Sequence, residues 1–219
     1  MTLRLDVPAP PNLALAPIEY SAFYQDQYSN ILRLYFNRLD NAVRNVLIGT
    51  GGKYLSLPFG AFYDTTDQTA ASTTTAYPIT LNSTSYSVGV GIDTSNTSRI
   101  YVRTAGTYNI QFSAQLVNYS NQSEDIDIWF RKNGTDIADS NTRFGLAARK
   151  GPSDPYHSVA ALNFFVELLA GDYIELVWCS TEAYTTAGTG AYIEHYAASS
   201  SPTRPAIPSV IVTATWVSS

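Results

Sequence analysis

The sequence predicts an all-β domain, an antiparallel two-sheet sandwich, carried behind an extended N-terminal arm and one long α-helix. Three observations predict it. Between Thr107 and Val117, residues Tyr108, Ile110, Phe112, Ala114 and Leu116 alternate without a break against Thr107, Asn109, Gln111, Ser113 and Gln115. A period of two puts one set on a core and the other on water, whereas a helical period of about 3.6 would scatter them around a cylinder. The same alternation returns at 125–131, 162–168, 174–178 and 210–216, so several half-buried strands share that core. Between Ile18 and Ile48 the apolar spacing changes to three and four, which sets a helix apart from the strands.

Composition agrees with this class. A chain of 219 residues suits one β domain with an extension better than two full domains. Aromatic residues (13%) nearly match charged ones (14%), so the chain is built for a packed interior and is not disordered. A formal net charge of -5 argues against a nucleic-acid partner, because neutralising phosphates needs clustered Lys and Arg. The single Cys179 cannot form an internal disulfide. No apolar run follows positive charges at the start, and no stretch of about 18 apolar residues occurs, so neither a signal peptide nor a membrane span is expected. The expectation is synthesis as a soluble cytosolic product. Asn-X-Ser/Thr triplets at Asn82, Asn96, Asn118, Asn121 and Asn133 then read as loop composition.

In chain order, residues 1–17 hold four prolines among small and apolar residues, which favours an extended arm. A helix over 18–49 opens with Pro17 and Glu19 and closes with Arg44 before Gly49. Along it Tyr28, Leu32, Tyr35, Leu39, Ala42 and Val46 form an a/d seam about two and a half heptads long. The seam packs either on its own domain or on a partner. Ile31, Leu34 and Phe36 widen the apolar surface beyond one stripe, which favours self-association or docking. Thr50-Gly51-Gly52-Lys53 is a flexible joint, and residues 50–219 form the β domain.

Within that domain Tyr54 to Tyr63 reads as a strand and Thr65 to Ala76 as a loop. Pro78 to Asp93 reads as one strand with Ile79, Leu81, Val88, Val90 and Ile92 inward. Ile126, Ile128 and Phe130 oppose Asp127, Trp129 and Arg131. The turn after them contains Asn133-Gly134, which tolerates the positive φ of a type I′ hairpin. Leu146 to Tyr156 reads as a loop. The 162–168 and 174–178 strands read as a second hairpin around Ala170-Gly171-Asp172. Thr181 to Pro208 is a long Ser, Thr, Gly and Tyr-rich connection with a strand near Tyr192, and Val210 to Trp216 ends the chain inside the sheet. About eight strands with uneven connections favour a jelly roll or Greek key over an up-and-down barrel.

Gly106-Thr107-Tyr108-Asn109-Ile110, the Asn133-Gly134 hairpin, the run from Leu168 through Gly171-Asp172 to Leu176, and the strand-ending C-terminus together resemble the tumour necrosis factor and complement-head jelly roll over roughly residues 55–219. The helix pattern Phe23-Tyr24-Gln25-Asp26-Gln27 through Asn37-Arg38-Leu39-Asp40-Asn41, joined to such a domain, resembles structural proteins of tailed phages, especially those infecting cyanobacteria and other marine bacteria. The resemblance implies a homotrimer whose flat sheet faces pack around an axis. Phe165, Leu169, Ile211 and Val217 are candidates for that face. It also implies a virion protein on the outer capsid surface: a capsid decoration or cement protein, bound through its arm and helix to other virion proteins, chiefly the major capsid protein. The alternative it leaves open is a short fibre or receptor-binding knob that recognises host glycan.

Residues able to carry chemistry are few. Cys179 with His195 would make a thiol dyad, but Cys179 ends an apolar strand with no helix N-terminus to lower its pKa. Asp125 with Asp127, and Asp64 with Asp67, are carboxylates that read as solvated faces rather than as a Ca²⁺ site, which wants six to eight converging oxygens. Gly188-Thr189-Gly190 has no following Lys and reads as a turn. No enzyme activity, cofactor or metal is expected. Tyr184, Tyr192, His195 and Tyr196, with Tyr156 and His157, are candidates for a sugar platform, for interface packing, or for anchoring their own loops.

Overall fold

The computed structural model describes residues 10–13, 15, 17–47, 57–186 and 188–218. The chain divides into two compact units, Met1–Ser56 and Leu57–Ser219. Most of the arm and the whole Thr50–Lys53 joint lie outside the described residues.

The first unit contains α1 (Ala22–Leu47), 26 residues and so about 39 Å long at ~1.5 Å per residue. It begins four residues later than Pro17 and Glu19 suggest. Ser21 is the N-cap: its Oγ accepts the Tyr24 N–H at 3.2 Å, and its carbonyl accepts the Gln25 N–H. That side chain satisfies an orphan donor, which neither Pro17 nor Glu19 can do from outside the first turn. Near the other end Arg44 pairs with Asp40 one turn back, at 3.7 Å.

The second unit holds β1 (Phe59–Asp64), β2 (Tyr77–Pro78), β3 (Ser83–Val88), β4 (Val90–Asp93), β5 (Asn96–Val102), β6 (Gly106–Asn118), β7 (Glu124–Lys132) and β8 (Thr135–Asp136). It continues with β9 (Thr142–Leu146), β10 (Tyr156–Leu168), β11 (Tyr173–Ser180), β12 (Ala191–Ile193), β13 (Ser199–Ser200), β14 (Thr203–Arg204) and β15 (Val210–Ser218). The first sheet runs β10-β6-β15-β1-β3, with β12 also on β6. The second runs β4-β5-β11-β7-β8, with β2 on β11 and β9 on β7, and β13 and β14 form a separate ribbon. The long strands pair outermost with outermost and inward from there: β1 with β15, β5 with β11, β6 with β10, β7 with β9. That nested antiparallel pairing, folded into two facing sheets, is the jelly roll.

β6 is the axis of the first sheet. It pairs along its full length with β10, from Tyr156 opposite Asn118 to Leu168 opposite Gly106, and on its other edge with β15 and then β12. Its alternate residues Tyr108, Ile110, Phe112, Ala114 and Leu116 are buried, as their spacing predicts. From the second sheet Ile126, Ile128 and Phe130 meet them. The Phe130 ring stacks on Phe164 at 4.9 Å and meets Phe112 edge-on at 6.0 Å, so aromatic contacts tie the two layers.

Three sequence expectations are corrected here. The stretch 78–93 is three strands in two sheets. Gly89 at φ +68° turns the chain out of β3 and into β4, which resets the alternation: Val90 is buried while Val88 is 39% exposed. The 162–168 and 174–178 strands do not form a hairpin, because β10 pairs with β6 and β11 with β5 and β7. Backbone groups of the Gly171-Asp172 turn bond Val102 instead, and the turn carries the chain from one sheet to the other. β10 also begins at Tyr156, so His157 sits on a strand rather than in a loop. By contrast the Asn133-Gly134 turn is a true two-residue hairpin, with Lys132 opposite Thr135 and positive φ at both central residues.

Candidate functional site

The two outer faces of the sandwich differ in chemistry. On the first sheet, the positions of β6 that point away from the core are Thr107, Asn109, Gln111, Ser113 and Gln115, all uncharged. Around them β10 presents Val159 and Phe165, and β15 presents Ile211 and Val217. At the β1–β3 edge Phe59 lies opposite Val88 and Ala61 opposite Tyr86. These large side chains are exposed: Phe165 by 56%, Ile211 by 42% and Val217 by 49%. Three of the four residues expected on a trimer face therefore share one surface. Leu169, 67% exposed, lies just past the end of β10. Glu167 is the one carboxylate on the outward positions of these strands.

The outer face of the second sheet is ionic. Arg143 binds Asp127 through two nitrogens, at 2.8 and 2.9 Å, and reaches Asp125 at 3.7 Å. Arg131 pairs with Asp136 at 2.7 Å, and Trp129 donates its indole N–H to the same carboxylate. Arg99 lies over the Tyr173 ring and 3.8 Å from the buried Glu175. The Asp125 and Asp127 carboxylates thus face a guanidinium, which occupies the position a cation would take.

The Tyr-rich connection builds a cluster that no local pattern announces. Glu194, 8% exposed, follows β12 and is held against β6 by its own N–H on the Gln115 carbonyl. Its Oε1 accepts hydroxyl hydrogen bonds from Tyr119 at 3.1 Å and Tyr192 at 3.3 Å, and its Oε2 accepts one from Tyr196. The Tyr196 hydroxyl also lies 3.0 Å from His157 Nδ1. Tyr192 stacks on Tyr119 at 5.8 Å and meets Tyr184 edge-on at 5.4 Å. Burial, then the Glu194 carboxylate, pushes the Tyr192 and Tyr196 hydroxyls well above the ordinary tyrosine range, and Tyr119 rises for the same reasons.

This arrangement sorts the sugar-platform candidates. Tyr192 is 4% exposed, with its ring covered by its neighbours, so it anchors the connection and offers no face to a ligand. Tyr184 is its edge-on partner. The backbone N–H of His195 donates to Asp67 Oδ1 at 2.8 Å, which ties the connection to the 65–76 loop. Tyr196 borders a cavity, together with His157, Gln115 and Arg204. Sequence reading misses Glu194 because Tyr119, the partner that joins it to the end of β6, stands 75 positions away, although Tyr192 and Tyr196 are each two residues off. The one local hint is a carboxylate directly after the apolar triplet Ala191-Tyr192-Ile193.

Other sequence candidates take structural roles. Burial, with the Asp127 carboxylate second, raises the Cys179 thiol above its ordinary value, the opposite of what a nucleophile needs. Asp64 Oδ1 accepts the Thr66 N–H at 2.8 Å, and Thr189 closes a turn on Thr186. Among the described residues no group of three or more His, Cys, Asp or Glu is placed to hold a metal ion. On α1, the seam residues Tyr28, Leu32, Tyr35, Leu39 and Ala42 are half-buried, while Phe23, Ile31, Leu34, Phe36 and Val43 are exposed around them. The side chain of Val46 lies outside the described residues. No helix is long and apolar enough to cross a membrane, among the described residues. No protein-family model and no curated protein matches the chain.

Proposed function

We propose that this protein is a structural binding protein that assembles as a homotrimer through the outer face of its first sheet. The observation that carries the reading is the contrast between the two outer faces. One is ionic and internally paired; the other combines Phe59, Val159, Phe165, Ile211 and Val217 with neutral amides and hydroxyls. An apolar surface of that kind is where association gains most free energy. Its low charge suits a second copy of itself, because Glu167 is the single carboxylate among its outward strand positions and identical faces brought together meet little like-charge repulsion. The threefold form follows from the resemblance to the tumour necrosis factor and complement-head jelly roll.

The place of work follows from the resemblance to tailed-phage structural proteins: a capsid decoration or cement protein, displayed on the virion. In that role α1, whose exposed apolar residues run from Phe23 to Val43 over about 30 Å, buries its seam against the major capsid protein and raises the cost of separating capsomers. The second reading, a short fibre or receptor-binding knob, is favoured by the cavity beside Tyr196. Light scattering tests the assembly. The chain of 23.9 kDa is expected to give three times that mass, and the double variant Phe165→Asp, Ile211→Asp a monomer; a wild-type monomer at every concentration sinks the proposal. Deleting residues 1–48 should leave the trimer intact and abolish attachment to particles if the protein is a cement. If attachment persists without them, the cement reading fails.

A further inference from the structure

We infer that the cavity beside Tyr196 binds a small polyhydroxylated anion, a carboxylate-bearing monosaccharide. This rests on the receptor-binding reading given above. The cavity has a volume of about 360 Å³ and is lined by Gln115, Leu116, His157, Tyr196, Arg204 and Ile207. Ligand sites run from roughly 300 to 1,000 Å³, so this one suits a single ring.

The polar groups on its walls are unequally engaged. The Tyr196 hydroxyl is committed to Glu194 and His157. Glu194 accepts three tyrosine hydroxyls, which occupy its oxygens. Arg204 pairs with no carboxylate among the described residues, and its one hydrogen bond is a long contact to the Ala197 carbonyl, 3.4 Å. A planar guanidinium with unused N–H groups matches a carboxylate in two-pronged fashion. The Gln115 amide and the second nitrogen of His157 provide a donor and an acceptor for ring hydroxyls, and Ile207 offers an apolar wall to the C–H face of a sugar. Gln115 stands about 20 Å along β6 from Asn109, at ~3.3 Å per residue. Asn109 lies opposite Phe165, whereas Gln115 lies opposite Val159, so the cavity opens on the same outward side of β6, at the end away from Phe165.

Calorimetric titration of the full chain with D-galacturonate, D-galactose and acetate tests the inference. Galacturonate is expected to bind about tenfold more tightly than either of the others, and Arg204→Gln to remove that advantage, about 1.4 kcal/mol. Arg143→Gln, a cation on the opposite sheet, should change nothing, and an unaltered melting temperature shows that Arg204→Gln folds. Galactose binding equal to galacturonate and indifferent to Arg204→Gln overturns the acidic class while leaving sugar recognition in place. Acetate binding as tightly as galacturonate overturns the sugar. No heat from either sugar overturns both this inference and the receptor-binding reading.

Discussion

Glu194 shows how one carboxylate organises a connection with little regular structure. Its two oxygens, themselves largely buried, accept three tyrosine hydroxyls, and a carboxylate so satisfied is stable where a bare one would not be. Glu194→Ala strands those hydroxyls, and the expected cost is about 2–4 kcal/mol. Urea denaturation checks it: the midpoint should fall with the slope unchanged, and a loss below about 0.5 kcal/mol would show that water replaces the carboxylate freely. The tyrosines also set an alkaline limit. Burial raises Tyr108 from the ordinary 10.0 to about 12, and Tyr192 and Tyr196 rise further. The fold favours the neutral hydroxyls, so their contribution is complete below pH 10 and is lost as pH rises through the folded values. A late fraction of the tyrosinate absorbance should therefore arrive together with loss of near-ultraviolet circular dichroism. Complete ionisation with the fold intact would contradict this.

Turns at the element scale do more than reverse the chain. The Asn133 amide bridges two of them: its Nδ2 donates to Asp172 Oδ1 at 2.8 Å, and its Oδ1 accepts the Tyr173 N–H at 2.9 Å. The Leu169 N–H first, then Asn133, with Lys132 adding to them, hold the Asp172 carboxyl below its ordinary value of 3.8. A depressed folded value means that the contribution is complete above that pH and is lost as pH falls below it. Asn133→Ala should cost about 1–2 kcal/mol near neutrality. Asp172→Asn should flatten the loss of stability below pH 3.8, read as melting temperature against pH; an unchanged acid limb would remove Asp172 from the account. Gly106 opens β6 at φ +148°, where a Cβ would collide with the Trp216 indole and the Ser218 carbonyl. Gly106→Ala is therefore expected to cost about 3 kcal/mol or more by moving the end of β15 off β6. A Gly106→Ala chain with wild-type denaturation would show that this strand end yields easily.

For the whole molecule, the contrast between faces predicts how stability depends on concentration. If the outer face of the first sheet is covered by copies of the same chain, folding and assembly are linked, and the melting temperature rises with protein concentration. Because that face carries few charges, moderate salt should leave the assembly in place, whereas an assembly held by Arg143 or Arg131 would weaken. Differential scanning calorimetry over a hundredfold range of concentration, at low and high salt, separates these cases. A concentration-independent transition would mean that Phe165, Ile211 and Val217 stay exposed in solution.

The sequence by itself determined the class and the strands whose alternation is unbroken. Tyr108 through Leu116 and Ile126 through Phe130 alternate so regularly that their inward sides are legible residue by residue, because period-two burial is a local property of the chain. The Asn133-Gly134 turn is legible for the same reason: positive φ is a demand on single residues. Which strands pair was decided only by the tertiary structure. β10 and β11 are neighbours in sequence and lie in different sheets, since the turn between them bonds Val102, some 70 positions earlier. A hairpin and a sheet-to-sheet crossing look alike when both strands bury alternate residues. The same holds for Glu194 and Tyr119, 75 positions apart, and for the cavity at Arg204. These are meetings of distant segments, and distance along the chain carries no trace of them until packing brings the segments together.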